Sequence, residues 1–83
     1  MRLGLISDTH NLLRPEVLHH FRGVDRILHA GDIGDLDILT ALEAIAPVTA
    51  VWGNTDGFEM RARVPEVVET RIEGFDFLLV HGH

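Results

Sequence analysis

The chain of 83 residues has no cysteine and no lysine, and only three prolines. Without thiols neither a disulfide framework nor a thiolate metal site can form, so any metal must be held by nitrogen and oxygen, which favours harder cations. Positive charge is scarce: the net charge is −6 and the pI near 5.3. That balance lacks the basic face which a nucleic-acid backbone or an anionic membrane requires, although an acidic chain can still meet phosphate through cations. No apolar run is long enough to span a bilayer, and the apolar start from Met1 to Ile6 reaches Asp8 too soon for a signal-peptide core. The expectation is a cytoplasmic protein with no membrane partner and no nucleic-acid partner.

What is present is ordinary globular composition, 46% hydrophobic and 24% charged, with no repeat, linker or low-complexity tract. A chain this short buries only about 60–65% of the surface its unfolded form exposes, so its stability is modest. Leu3 to Ser7 reads as a strand. Pro15 to Phe21 reads as a helix with Val17, Leu18 and Phe21 on one face and Pro15 in the first turn. Val24 to Ala30 is a second strand. Asp35 then stands as cap of a helix whose Leu36, Ile38, Leu39, Leu42 and Ile45 face a core, stopped by Pro47. Val48 to Trp52 is a third strand, Gly57 to Pro65 an exposed connection, and Val67 to Ile72 with Phe75 to Val80 a hairpin turning at Glu73-Gly74. Alternating strand and helix implies a parallel sheet with right-handed crossovers.

Polar clusters follow directly after the strands: Asp8-Thr9-His10, Gly31-Asp32, Gly53-Asn54 and His81-Gly82-His83. In open α/β sheets the loops at the carboxyl ends of strands meet in one crevice, so these residues converge. Carboxylate, imidazole and carboxamide together are a ligand set for two divalent cations rather than for a nucleophilic triad, and the two oxygens of Asp32 allow it to bridge. The glycines before Asp32 and Asn54 let the backbone turn sharply at the strand ends. Each cluster has a plainer reading as a turn or helix cap, and His29 reads as a buried, hydrogen-bonded histidine; the conjunction of the clusters is what points to metal. His19 and His20 read as a solvated helix face. A phosphoacceptor of the response-regulator type also places carboxylates after parallel strands, but needs an acidic pair after the first strand and a later lysine.

Asp8-x-His10, Gly31-Asp32-x-x-Asp35, Gly53-Asn54-x-Asp56 and His81-Gly82-His83, in that order, resemble the motifs of the calcineurin-like metallophosphoesterase superfamily, nearest to its small bacterial and archaeal phosphodiesterases. The resemblance implies an α/β fold, the N-terminal half of a four-layer helix, sheet, sheet, helix sandwich: a mainly parallel sheet plus the start of a second sheet, with residues 1–83 as one incomplete domain. It implies that Asp8 and His10 hold one metal, that Asp32 bridges both, and that Asn54 and His81 hold the other, with Asp32, Asn54 and His81 at the catalytic centre and His83 beside it. The family's later Gly-His-x-His motif has no counterpart up to His83. Thr55 stands where many relatives carry a histidine able to protonate a leaving group.

The function implied is hydrolysis of a small phosphate ester, monoester or diester, by metal-bound hydroxide between two divalent ions about 3.5–4 Å apart. Mn²⁺ best suits the set, with Fe, Ni and Zn as alternatives. The rival reading is a catalytically inactive scaffold or protein-binding module, as in the relative that serves the eukaryotic retromer coat. An exposed apolar strand edge adds the expectation of a homo-oligomer.

Overall fold

In the computed structural model, which describes residues 1–81, strand and helix alternate through the first half: β1 (Leu3–Ile6), α1 (Pro15–His20), β2 (Arg26–His29), α2 (Leu36–Glu43) and β3 (Val48–Ala50). The strands lie side by side in chain order, all parallel, with Leu3 opposite Arg26 and Ile27 opposite Val48. They stop short of the apolar runs that announce them, because Ser7, Ala30 and Val51 already belong to the loops leaving the sheet edge.

Helix α1 begins with Pro15, whose fixed φ suits the first turn. It buries no residue: Val17 and Phe21 are half-buried and Leu18 is exposed, against the expectation of three core positions. Six residues are too few to lay a full stripe on the sheet, and contact runs mainly through Phe21, whose ring comes within 3.0 Å of where a Cβ on Gly4 would sit. Helix α2 buries Ile38, Leu39 and Leu42, the stripe expected of an amphipathic helix. Leu36 is exposed, since two residues before Ile38 the helix turns it to the far side. Asp35 holds the N-cap position, but its side chain makes no capping bond.

Phe58–Arg63 forms a third helix, α3, where the sequence suggests an exposed connection. Met60 and Val64, 2% and 9% exposed, lie one turn apart and dip into the core, while Glu59, Arg61 and Arg63 stay outside. The core they join contains Ile27, Ile33, Leu39 and Leu42. Strands β4 (Val67–Ile72) and β5 (Phe75–Val80) then form an antiparallel hairpin, a separate two-stranded sheet. Its register sets Ile72 opposite Phe75 and Val67 opposite Val80, and the turn residues Glu73 and Gly74 both have positive φ, 52° and 81°, as a two-residue hairpin loop demands. Among the described residues no helix is long and apolar enough to cross a membrane.

Candidate metal centre

The loops after β1 and β2 are held in an uncommon backbone conformation. Asp8, His10 and Asn11 have φ of 56°, 46° and 68°, and Asp32 has φ of 56°. Left-handed non-glycine residues cost on the order of 1–3 kcal/mol each and persist only where surrounding structure enforces them. Here a ladder does so: Asp8 N–H donates to the Gly31 carbonyl at 2.9 Å, His10 N–H to Asp32 at 3.0 Å and Asn11 N–H to Ile33 at 3.1 Å. Gly31, with φ of 107°, turns the chain and also leaves room for His81, whose Nδ1 would lie 2.7 Å from a Cβ there. Gly53 has no positive φ, so the sharp turn expected of it is corrected: it is needed because a Cβ would run into Asp32.

Asp8, Asp32 and His81 present ligand atoms that all lie within 4.8 Å of one another. His10 Nε2 joins them, 3.6 Å from Asp8 Oδ1 and 3.8 Å from Asp32 Oδ2. His81 Nε2 is 3.2 Å from Asp32 Oδ2, while its Nδ1 is 2.7 Å from the Ala30 carbonyl oxygen. Donation from Nδ1–H to that carbonyl fixes the ring and presents Nε2 to the cluster, the arrangement usual for a metal-ligating histidine. Asp32 is buried, and its carboxyl is held below the ordinary carboxylate range, chiefly by the Thr55 backbone N–H donating to Oδ1 at 2.9 Å. Its charged form is thereby kept available for a cation.

Of the other expected residues, Asn54 is exposed next to Gly53, and among the described residues its amide side chain makes no hydrogen bond to the cluster; its carbonyl oxygen accepts from Arg61 Nη2 at 3.4 Å. The Thr55 hydroxyl lies 3.4 Å from His10 Nδ1. His83 lies outside the described residues.

The sequence shows Asp56 only as the last residue of the Gly53-Asn54-x-Asp56 motif, with no role read for it; the structure supplies one. Its carboxylate is 3% exposed, accepts Ile33 and Gly34 N–H groups on Oδ1 at 2.9 Å each, and accepts Gly53 N–H on Oδ2 at 2.9 Å. One buried side chain thus locks the Asp32 loop to the Asn54 loop. The signal available was its place two residues after Asn54 in the same motif. Arg61 secures the second loop, stacking 4.2 Å over the Trp52 ring and donating from Nε to the Asp56 carbonyl at 2.8 Å. Asn11 Oδ1 accepts the Asp35 N–H, tying the first loop to the start of α2.

His29 is fully buried beneath the cluster, as expected. The Thr9 hydroxyl donates to the Ile33 carbonyl at 2.6 Å and so accepts from His29 Nε2–H at 3.1 Å, while His29 Nδ1 accepts Gly31 N–H at 3.1 Å. Both ring nitrogens are used by the neutral form. Burial pushes its pKa down to about 4, partly offset by Asp56, Asp8 and Asp32.

A family model for the calcineurin-like phosphoesterase superfamily domain matches residues 1–83. The chain is 48% identical over 91 positions to a probable metallophosphoesterase of Methanothermobacter thermautotrophicus, covering 99% of this chain and 50% of that protein. It is 38% identical over 88 positions to a probable metallophosphoesterase of Methanocaldococcus jannaschii, covering 99% and 43%. The chain therefore spans about half the length of the curated relatives it matches. Among solved structures, Entamoeba histolytica Vps29 complexed with Zn²⁺ superposes with a TM-score of 0.79 at 25% identity, over 100% of this chain and 49% of that one. Its D62A mutant gives 0.80 at 25%, with the same coverage. Chaetomium thermophilum Vps29, at 15% identity and TM-score 0.76 over 92% of this chain and 43% of that one, shares the fold. Matched by the family model from first residue to last, and nearly half identical to an archaeal relative, the chain belongs to the calcineurin-like phosphoesterase superfamily.

Proposed function

We propose that this chain carries a divalent-metal phosphoesterase centre which hydrolyses small phosphate monoesters or diesters. The observation that carries this reading is the convergence of Asp8, Asp32 and His81 from three separate strand ends, with ligand atoms within 4.8 Å of one another. The donor set fits the group: two carboxylates and a carbonyl-anchored imidazole, with His10 beside them, suit hard or borderline divalent ions. In this reading Asp8 and His10 hold one ion, Asp32 reaches both, and His81 with Asn54 holds the other. Mn²⁺ is the expected metal, and the Zn²⁺ complex of a Vps29 supports zinc as an alternative. Divalent ions there supply Lewis acidity toward a phosphoryl oxygen and a water acidified toward neutral pH.

The chain's own groups prepare that chemistry. Thr55 N–H and Ala30 carbonyl orient Asp32 and His81, and the buried Asp56 keeps the two loops in register. The Thr55 hydroxyl is a poor proton donor, so esters with good leaving groups are the favoured substrates. A scaffold without catalysis is the second reading, favoured by the exposed Asn54, whose amide makes no hydrogen bond to the cluster among the described residues.

The test is release of p-nitrophenol from bis(p-nitrophenyl) phosphate with and without Mn²⁺. We expect metal-dependent turnover, lost by at least a hundredfold in Asp32→Asn; an Asp32→Asn variant as active as the parent sinks the two-metal assignment. A parent that binds Mn²⁺ but turns nothing over favours the scaffold.

A further inference from the structure

Two grooves flank the metal loops, and their charges differ. One, of about 380 Å³, runs between the starts of α2 and α3; Asp35, Glu59 and the 87% exposed Phe58 line it, and it has no basic side chain. The other, of about 420 Å³, opens between β1 and α1 directly off Asp8 and His10. Ile6, Leu12 and Val17 give it apolar lining, and Arg14 lines it as well.

Arg14 is exposed, and among the described residues its guanidinium makes no ion pair and no hydrogen bond. Its backbone is fixed nonetheless: it occupies the N-cap position of α1 with φ −72° and ψ 145°, and its carbonyl accepts Val17 N–H at 3.0 Å. In a chain with 13 acidic and seven basic residues, the second groove, whose only carboxylate is the candidate ligand Asp8 and whose lining includes an arginine, is the one of these two where an anion meets less repulsion. The groove is larger than a phosphoryl group needs, and its apolar walls offer contact to carbon. A phosphoryl group at Asp8 and His10 would leave its organic substituent to fill this groove toward Arg14.

We propose that this groove is a subsite for the organic group of the substrate, and that Arg14 recognises a second anionic group on it, a carboxylate or phosphate. The planar guanidinium can grip either with two parallel hydrogen bonds. The inference rests on the phosphoesterase reading for the placement of the phosphoryl group. It predicts a preference for phosphate esters of small hydroxy acids or bisphosphates over uncharged alkyl or aryl esters.

Binding separates this inference from catalysis. Benzylphosphonate and 4-carboxybenzylphosphonate differ only in the carboxylate, and neither can be hydrolysed. Titrated calorimetrically into the Mn²⁺-loaded chain, the carboxylated probe is expected to bind about tenfold tighter, the scale of one charge-assisted pair. Arg14→Gln should level the two affinities and Arg14→Lys should restore part of the gap; thermal melts of both variants check that they fold. Equal affinity of the parent for both probes, absence of binding by either, or an Arg14→Gln loss equal for both, overturns the subsite. A parent that hydrolyses bis(p-nitrophenyl) phosphate without discriminating the probes keeps the function and loses the subsite. One that discriminates the probes but hydrolyses nothing keeps the subsite and loses the enzyme.

Discussion

His29 is neutral because it is buried and because both ring nitrogens already have partners that suit the neutral form. Its pKa falls from 6.5 to about 4 on folding, so between those values the unfolded chain binds the extra proton and folding weakens as pH falls. The full shift corresponds to about 3 kcal/mol. Asp32 acts in a different window: its lowered pKa stabilises the fold above its ordinary value of 3.8, and that contribution is lost only at more acid pH. Urea midpoints of chelator-treated protein should therefore drop between pH 6.5 and 4, and the slope should flatten in His29→Gln. An unchanged slope in that variant would show that other groups set the acid limit.

Helix α3 tests how packing overrides local appearance. Met60→Ala should cost about 2–5 kcal/mol, read as a large fall in melting temperature, whereas Glu59→Ala beside it should stay within about 0.5 kcal/mol. Equal, small effects would mean that α3 is the exposed connection the sequence suggests. That segment misleads because three charged residues alternate through it, and two apolar positions one turn apart are too few to signal a helix. Elsewhere the elements were legible: the hairpin limits and its turn match because Glu73-Gly74 is a strong local signal, and the stripe of α2 is long enough to read. The convergence of Asp8, Asp32 and His81 was legible as strand-end clusters, since topology brings such positions together. Asp56 and Arg61 were not, because their work is bonding backbone groups from other loops, and nothing local in the sequence reveals those partners.

The whole molecule leaves apolar surface open. Leu5 on β1 is 69% exposed and Phe75 on β5 is 70% exposed, and a cavity of about 370 Å³ lined by Met1, Leu3, Ile72, Phe75 and Phe77, with Glu73 as its one charged side chain, lies between the first sheet and the hairpin. With β4 and β5 paired only to each other among the described residues, this region offers both apolar contact and free strand edges. Self-association of a second copy through it is the expected behaviour of the isolated chain. Light scattering should show mass rising with concentration, and Phe75→Lys should suppress the rise; a parent that stays monomeric at high concentration would exclude this surface as a self-contact.

The two sheets are joined at the candidate metal centre by His81, which reaches from the end of the hairpin to the Ala30 carbonyl and the Asp32 carboxylate. A cation gripped by Asp32 and His81 would close a loop of about fifty residues and act as a cross-link, removing freedom from the unfolded chain much as a disulfide does. In a chain without a single cysteine, such a cation would do the work that no disulfide can. It would add to the stability the metal-free chain already has, so scarcity of the ion would loosen the architecture as well as silence the proposed chemistry.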